Sequence, residues 1–295
     1  MIDPATHLAP AAAAEGCPTP LAWQEVVRSV VEQSRAIEFR WPGGKIQGLD
    51  FGKGPPLVFL PTATGTDRMF ALTAWLLRDD YRCLLLGNPL WDKLPALKSI
   101  AATTAQHLAE ALPTYFGGAC HLYACGTGVT TAVHLLKHGP AVVDSAILQG
   151  GGGTKLTWAE WLTLNLGRWS RRQMKQTPLW MSVQAQNHRP WFPPFDESRF
   201  GFMMNEMGDQ AARDVAARIL ADSAASIHSI LPRIEQPVLL LDCEGHGRLI
   251  DSQSQHLASH LPHVQREAMH SAGMFPYLTH PHRLVKVLKP FLQSH

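Results

Sequence analysis

Hydrophobic patterns typical of strands and of helices alternate along most of this chain. Short apolar runs of strand length occur at 57–60, 82–86, 120–123 and 142–148. Helical patterns lie between them, at 70–77, 99–115 and 127–137. Continuous apolar strands are typical of a parallel sheet covered on both faces, and their alternation with helices is typical of α/β proteins. The pattern therefore predicts an α/β fold with a mostly parallel sheet and helices on both faces.

Upstream of these elements, the pattern predicts a helix followed by a β-hairpin. Apolar residues at helical spacing indicate a short amphipathic helix at 21–33. Two β-rich runs, 37–41 and 45–51, flank the turn sequence Pro-Gly-Gly at 42–44. Turn residues between two such runs favour a hairpin.

Four consecutive glycines at 150–153 interrupt the alternation, and no strand pattern follows until 238–241. The stretch between is helical in character and contains five tryptophans: Trp158, Trp161, Trp169, Trp180 and Trp191. Because the sheet is completed only after this stretch, we expect an inserted helical cap. The predicted division is an N-terminal extension with a short helix at 1–34, a core at 35–153 and 233–295, and a Trp-rich helical cap at 154–232. The glycines match no phosphate-binding motif, and we interpret them as a flexible hinge.

Composition narrows the functional classes. The chain has 295 residues, of which 45% are hydrophobic, so it can bury a large core. A formal net charge of +2 provides no electrostatic argument for binding nucleic acid or an anionic membrane. No apolar run approaches the length of a membrane span, and no signal peptide is visible. Five cysteines, three of them in or beside apolar runs, suggest buried thiols in a reducing compartment, and we expect a cytoplasmic protein.

The segment H-L-Y-A-C-G-T-G-V at 121–129 predicts a short strand, a sharp turn and the start of a helix. This is the context in which α/β-hydrolases carry their nucleophile, within the motif G-x-S-x-G. Laid on that motif, Ala124 and Gly128 take the small flanking positions and Gly126 takes the nucleophile position. Since glycine has no side chain, no nucleophile is expected there.

A register shifted by one residue would make Cys125 the nucleophile. That register puts bulky Tyr123 and β-branched Thr127 at positions that favour small residues. We therefore prefer Gly126, and keep Cys125 as the alternative nucleophile.

The two other triad positions have also lost their chemistry. The segment S-A-G-M-F-P at 271–276 resembles the G-H-F-P segment of α/β-hydrolases, with Met274 at the position of the catalytic His. The segment 237–247 resembles the strand and loop that carry the acid, with His246 at the position of the usual Asp. With Gly126, His246 and Met274 at the triad-equivalent positions, we expect no catalytic residues of the standard kind.

Three further segments resemble the maspardin branch of the α/β-hydrolase superfamily. They are F-L-P-T-A-T-G-T at 59–66, N-P-L-W-D-K-L at 88–94 and G-M-F-P-Y-L at 273–278. The resemblance implies a cytosolic protein with a hydrolase fold that works through partner binding more than through ester cleavage. The sequence departs from that branch at the turn, where maspardin keeps a serine and this chain has Gly126.

These observations predict a non-hydrolytic protein that binds either a protein partner or a small apolar ligand with a carboxylate or carbonyl head. The backbone amides of Thr62 or Ala63 and of Thr127 are expected to converge near Gly126 as an anion site. No cofactor, metal, nucleic acid or membrane span is predicted. Two enzymatic alternatives remain: non-standard chemistry in the same pocket, or a hydrolase or acyltransferase that depends on Cys125.

Overall fold

A mixed, mostly parallel sheet forms the centre of the computed structural model, which describes residues 22–92, 95–153, 155–245 and 247–295. The described strands are β1 (Arg35–Trp41), β2 (Gly44–Gly52), β3 (Pro56–Leu60), β4 (Arg82–Leu86), β5 (Leu90–Trp91), β6 (Cys120–Cys125), β7 (Val143–Gln149), β8 (Val238–Cys243) and β9 (Val264–Met269). Their order in the sheet is β1-β2-β4-β3-β6-β7-β8-β9, and β5 pairs with β2. The pairs from β4 to β9 are parallel, whereas β2 pairs antiparallel with β1, β4 and β5. The predicted fold class is confirmed.

Helices cover both faces of this sheet. The described helices are α1 (Trp23–Gln33), α2 (Ala71–Leu77), α3 (Ile100–Phe116), α4 (Gly128–Leu136), α5 (Trp158–Gly167), α6 (Trp180–His188), α7 (Glu197–Gly208), α8 (Ala212–Ala224), α9 (Gly247–His260), α10 (Pro276–Thr279) and α11 (Pro281–Gln293). Alternate residues of β6 point into two different cores. Leu122 packs with residues of α3, α4 and α9, whereas Tyr123 packs with residues of α1, α2 and α11. Burial on both faces explains why the central strands are apolar without interruption.

The predicted N-terminal elements are present. Helix α1 begins at Trp23, and β1 and β2 form the hairpin, with Trp41 opposite Gly44 at its turn. Strand β9 was not predicted, and the reason is its place at the sheet edge. It pairs only with β8 and is mostly exposed, so it carries the polar sequence Gln-Arg-Glu where a central strand would be apolar.

Helices α5 to α8 lie between β7 and β8, where the sequence predicts an inserted cap. In the described part of this stretch the only β-type pairing is an isolated bridge between Gln173 and Ala211. Of the five tryptophans here, Trp180 is buried, and Trp158, Trp161 and Trp169 are exposed. The exact division at 154 and 232 stays a prediction. Within the described residues, no helix is both long and apolar enough to cross a membrane.

The glycines at 150–153 all have positive φ angles, which only glycine adopts at little cost. Gly151 also packs directly against the backbone of the turn after β6. A Cβ atom at Gly151 would lie 2.1 Å from the carbonyl oxygen of Gly126. Close backbone contact is therefore one physical reason for glycine in this run, beside the predicted hinge.

Candidate functional site

The turn between β6 and α4 has the backbone expected of a nucleophile turn. Gly126 has a φ of +54°, in the left-handed region that is unfavourable for other residues. Its N–H donates to the carbonyl of Gln149 at 3.0 Å, and its carbonyl accepts from the N–H of Val129 at 3.1 Å. Glycine adopts this conformation at little cost, which fits the position that the motif assigns to Gly126.

The packing on either side of the turn agrees with the preferred register. A Cβ atom at Gly128 would lie 2.7 Å from the carbonyl oxygens of Leu60 and Pro61, at the end of β3. Ala124 is fully buried in β6. These are the two positions where the motif calls for small residues, and Thr127 would be too large for the close approach that Gly128 makes.

Thr62 occupies the space beside Gly126 into which a side chain there would project. A Cβ atom at Gly126 would lie 3.0 Å from Thr62 Cβ and 3.1 Å from Thr62 Cγ2. Asn88 holds this loop in place, because its Nδ2 donates to the carbonyls of both Thr62 and Gly65 at 2.9 Å. A serine at position 126 would have to displace this threonine.

Met274, at the position predicted to correspond to the catalytic base, packs against the protein core. Met274 is half-buried against the core that contains α2 and α11. Its carbonyl accepts a hydrogen bond from Gln149 Nε2 at 2.9 Å, and Gln149 Oε1 accepts one from the hydroxyl of Tyr123. A thioether cannot take a proton from a nucleophile. The predicted acid position, His246, lies outside the described residues.

Cys125 is poorly suited to act as a nucleophile. Its side chain is fully buried, with Sγ 3.6 Å from the carbonyl oxygen of Leu60 and 3.9 Å from the hydroxyl of Tyr277. Burial raises the pKa of this thiol to about 12, so the thiolate is scarce at neutral pH. The geometry disagrees with the alternative of Cys125-dependent catalysis.

An acid–histidine pair that the sequence did not indicate lies at the ends of β8 and β9. Glu244 Oε1 lies 2.7 Å from His270 Nδ1, and this bond is the main cause that lowers the pKa of Glu244. The carboxylate also accepts from the N–H of Ser271 at 2.7 Å. Both side chains are exposed, and neither lines the two cavities beside the turn. The pair was missed because β9, which ends one residue before His270, was not recognised.

Two adjoining cavities lie beside the turn. The inner cavity has a volume of about 50 Å³, and its polar lining includes Asn88, Thr127, Thr130, Thr131, Arg218 and Asp222. The outer cavity has a volume of about 420 Å³, and its lining includes Leu90, Trp91, Arg168, Trp169, Arg213 and Arg218. Both linings include Pro89, Ile100 and Arg218, so the two cavities meet there.

Arg218, from α8, is the side chain that distinguishes this site from a purely apolar cleft. Its Nη1 donates to the carbonyl of Ala63 at 2.9 Å and to Gln210 Oε1 at 3.2 Å. Among the described residues it forms no ion pair within 4 Å, and its Nε and Nη2 make no hydrogen bond. Asp214, one turn earlier on α8, favours its charge from a longer distance. Burial lowers the pKa of Arg218 to about 10, so the group stays cationic at neutral pH. A partly desolvated cation without a direct ion pair is costly, and an anionic ligand would offset that cost.

The first turn of α4 lies on the other side of the inner cavity. Thr127 is the N-cap of this helix, and within the described residues the amides of Thr127 and Gly128 have no hydrogen-bond partner. Thr130 donates to Asp222, which is buried in the same lining. The amides of Thr62 and Ala63 belong to the loop held by Asn88 and Arg218. Their convergence with that of Thr127 stays a prediction.

Comparisons with known proteins agree on the fold. No protein-family model matches the sequence, and no curated protein matches it either. An esterase from Thermogutta terrifontis superposes with a TM-score of 0.70 at 15% identity, covering 88% of this chain and 98% of the esterase. A hydrolase from Pseudomonas aeruginosa PA01 gives a TM-score of 0.70 at 16% identity, covering 88% and 98%. Naproxen esterase from Bacillus subtilis gives 0.65 at 14% identity, covering 92% and 96%. This chain has an α/β-hydrolase fold, and at these identities the likeness shows the fold alone.

Proposed function

We propose that this chain is a non-hydrolytic protein with an α/β-hydrolase fold, of the triad-deficient, maspardin-like kind, and that it binds a small organic acid. The ligand that we infer has one carboxylate or carbonyl head and an apolar body. The observation that carries the proposal is the half-buried guanidinium of Arg218, which forms no ion pair within 4 Å among the described residues and lies beside a turn that has glycine at its centre. Such a site favours holding a carboxylate over attacking an ester.

The case against ester hydrolysis rests on the groups that such chemistry requires. A triad needs a nucleophile, a base within hydrogen-bond reach and a group that orients the base. Gly126 offers no nucleophile, Met274 offers no base, and the thiol of Cys125 is buried. Fold alone does not supply the activity of the esterases that share it.

The inner cavity suits the head of the ligand. Its volume of about 50 Å³ is room for about four water molecules, or for one carboxylate-sized group. Guanidinium groups bind carboxylates through two parallel hydrogen bonds, and Nε and Nη2 of Arg218 are free to make them. The N-terminus of α4 adds a favourable partial charge. Asp222, on the same lining, would repel a carboxylate, so Arg218 and the N-terminus of α4 have to outweigh it, and a second negative charge is disfavoured.

The outer cavity suits the body of the ligand. Trp91, Leu90 and Trp169 provide apolar surface next to Arg218, and a drug-sized ligand needs a cavity of this order. We also infer that the segment 154–232 acts as a cap over this cleft, since Arg218 on α8 lines both cavities. Four buried cysteines without disulfides favour a reducing compartment, in support of a cytoplasmic location.

A thermal-shift screen of fatty and aromatic acids tests the binding proposal. A carboxylate at a hundred times its dissociation constant is expected to stabilise the protein by about 2.7 kcal/mol, whereas the primary alcohol of the same chain length is expected to have no effect. Arg218→Met is expected to abolish the shift. Arg171→Gln, at an exposed arginine that lines neither cavity, serves as the matched control and should retain it.

Two results would overturn the proposal. One is that no acid raises the melting temperature. The other is that Arg218→Met responds to acids as the unmodified chain does.

The absence of hydrolysis is tested separately. A fluorophosphonate probe should not label the protein, and short acyl esters should hydrolyse at the background rate. Turnover that disappears in a Cys125→Ala variant would support the cysteine alternative instead. Turnover that survives in that variant would indicate non-standard chemistry in the cleft.

A further inference from the structure

Three histidines from two separate parts of the chain meet away from the cleft. His256 and His260 are one turn apart on the same face of α9, and His228 comes from the segment between α8 and β8. One ring nitrogen from each lies within 4.8 Å of the others. Among the described residues, no aspartate or glutamate belongs to this group.

The spacing of the nitrogens matches that of ligands around one metal ion. His228 Nδ1 lies 3.4 Å from His256 Nε2. Two nitrogens bound to one tetrahedral zinc ion, each at about 2.0–2.1 Å, are about 3.3 Å apart. A separation of 3.4 Å is long for a hydrogen bond between two imidazoles, but the metal geometry accounts for it directly.

The third histidine is oriented as a metal ligand commonly is. His260 Nδ1 lies 2.8 Å from the carbonyl oxygen of His256, and a carbonyl can only accept. Nδ1 of the neutral ring therefore carries the proton, and Nε2 carries the free lone pair. A backbone carbonyl that takes the other ring N–H is a frequent outer-shell partner of metal-bound histidine. In the described part of the chain, His260 Nε2 has no hydrogen-bond partner.

We propose that His228, His256 and His260 bind one divalent transition-metal ion of the zinc class. Three imidazoles without a carboxylate select zinc, copper or nickel over magnesium and calcium, which prefer oxygen ligands. His228 is exposed, so the fourth position is open to a water molecule or a small anion. Because the ligands come from α9 and from the segment that follows α8, the ion would tie these two elements together and stabilise the fold.

The electrostatic surroundings are compatible with this role. Burial is the main cause that lowers the pKa of His256, and His260, His228 and Lys155 act in the same direction. Lys155 is the lysine among these neighbours of His256, and its positive charge disfavours a cation there. A Lys155→Gln variant should therefore bind the ion no more weakly than the unmodified chain.

Metal titration of the full chain tests the site. After dialysis against EDTA, the protein is titrated with Co²⁺ and followed by visible absorption, and Zn²⁺ is then added. We expect one equivalent of Co²⁺ to give the bands of a tetrahedral site, and Zn²⁺ to displace it and raise the melting temperature. His256→Ala and His260→Ala should each weaken binding by at least the roughly 10- to 100-fold that loss of an outer-shell partner costs in other metal sites.

A neighbouring histidine provides the matched control. His263 is exposed, follows α9 and is not part of the cluster, so His263→Ala should bind Co²⁺ as the unmodified chain does. His228→Gln leaves helix α9 intact and covers the case in which a helix variant fails to fold. The proposal is overturned if the folded, unmodified chain binds neither ion. It is equally overturned if the cluster variants and His263→Ala bind alike.

Discussion

The turn at Gly126 is tightly packed, whereas helix α5 is exposed, although both regions are rich in small or apolar residues. At the turn, backbone meets backbone: a Cβ atom at Gly151 would lie 2.1 Å from Gly126 O, and one at Gly128 would lie 2.7 Å from Leu60 O. On α5, by contrast, no residue is buried, and Trp158 is 74% exposed. Both regions are rich in the residues that usually mark a core, yet only the turn is packed like one.

Local hydrogen bonds, rather than burial, stabilise helix α5. Thr157 and Glu160 form a capping box, in which Glu160 N donates to Thr157 Oγ1 at 3.3 Å and Thr157 N donates to Glu160 Oε2 at 2.8 Å. The difference teaches that sequence changes at the turn are constrained by contact, whereas those on α5 are not. At the turn, a side chain at position 126 would have to displace Thr62, which occupies the space beside Gly126.

A substitution at Gly151 tests most directly whether backbone contact constrains the turn. Gly151→Ala puts a Cβ atom against the carbonyl of Gly126 at a φ of +149°, and we expect it to lower the free energy of unfolding by about 3 kcal/mol or more. Gly153→Ala is the control, because Gly153 has a φ of +77° but nothing within 4 Å of its Cβ position. It should cost only about 1 kcal/mol. Urea denaturation of both variants measures the difference, and equal costs would mean that backbone strain alone requires these glycines.

The helical segment also contains a buried histidine, His188. We expect acid to lower the stability of the protein by protonating this ring. This ring is buried at the end of α6 against Phe275, and burial lowers its pKa from 6.5 to about 4. Because the folded-state pKa is depressed, its contribution to stability is present above pH 6.5 and is lost as the pH falls towards 4. At about 1.4 kcal/mol per pKa unit, the loss between pH 7 and pH 4 is about 3 kcal/mol.

Urea denaturation at several pH values measures this slope. His188→Gln should reduce it, and His138→Gln, at an exposed histidine, should leave it unchanged. A slope that is identical in all three proteins would assign the acid sensitivity to other groups.

Gly126→Ser tests whether the turn can support catalysis when a hydroxyl group is restored at its centre. The new side chain meets Thr62 and adopts a left-handed φ, so we expect a loss of about 1–3 kcal/mol and no gain of esterase activity. Combining it with Thr62→Ala should recover part of the loss, which a double-mutant cycle measures. Restored hydrolysis in the single variant would mean that a base and an acid are present after all.

The smallest effect is expected on α5. Trp158→Ala should change the free energy of unfolding by no more than about 0.5 kcal/mol, because an exposed side chain has little packing to lose. Trp180→Ala, at the buried tryptophan of the same segment, should cost about 3–5 kcal/mol. If the two variants lose similar stability, Trp158 is buried in solution, against another part of the chain or against a second copy.

The sequence alone determined the central architecture, because it depends on local pattern. Strands such as β3 and β6 are buried on both faces, so each is an uninterrupted apolar run. The turn was equally local, since Ala124, Gly126 and Gly128 lie within five positions and small residues were needed at each. Strand β9 was not predicted, because this edge strand carries polar residues and has no continuous apolar run.

Only the tertiary structure decided which polar groups meet. Arg218 reaches the carbonyl of Ala63 across 155 positions of sequence, and His228 meets His256 across 28. Neither contact can be predicted from periodicity or from a motif, because each joins a helix to a loop segment that is distant in the chain. The glycine at the turn can be identified from the sequence, whereas the position of the guanidinium in the cleft and the histidine cluster are set only once the chain has folded.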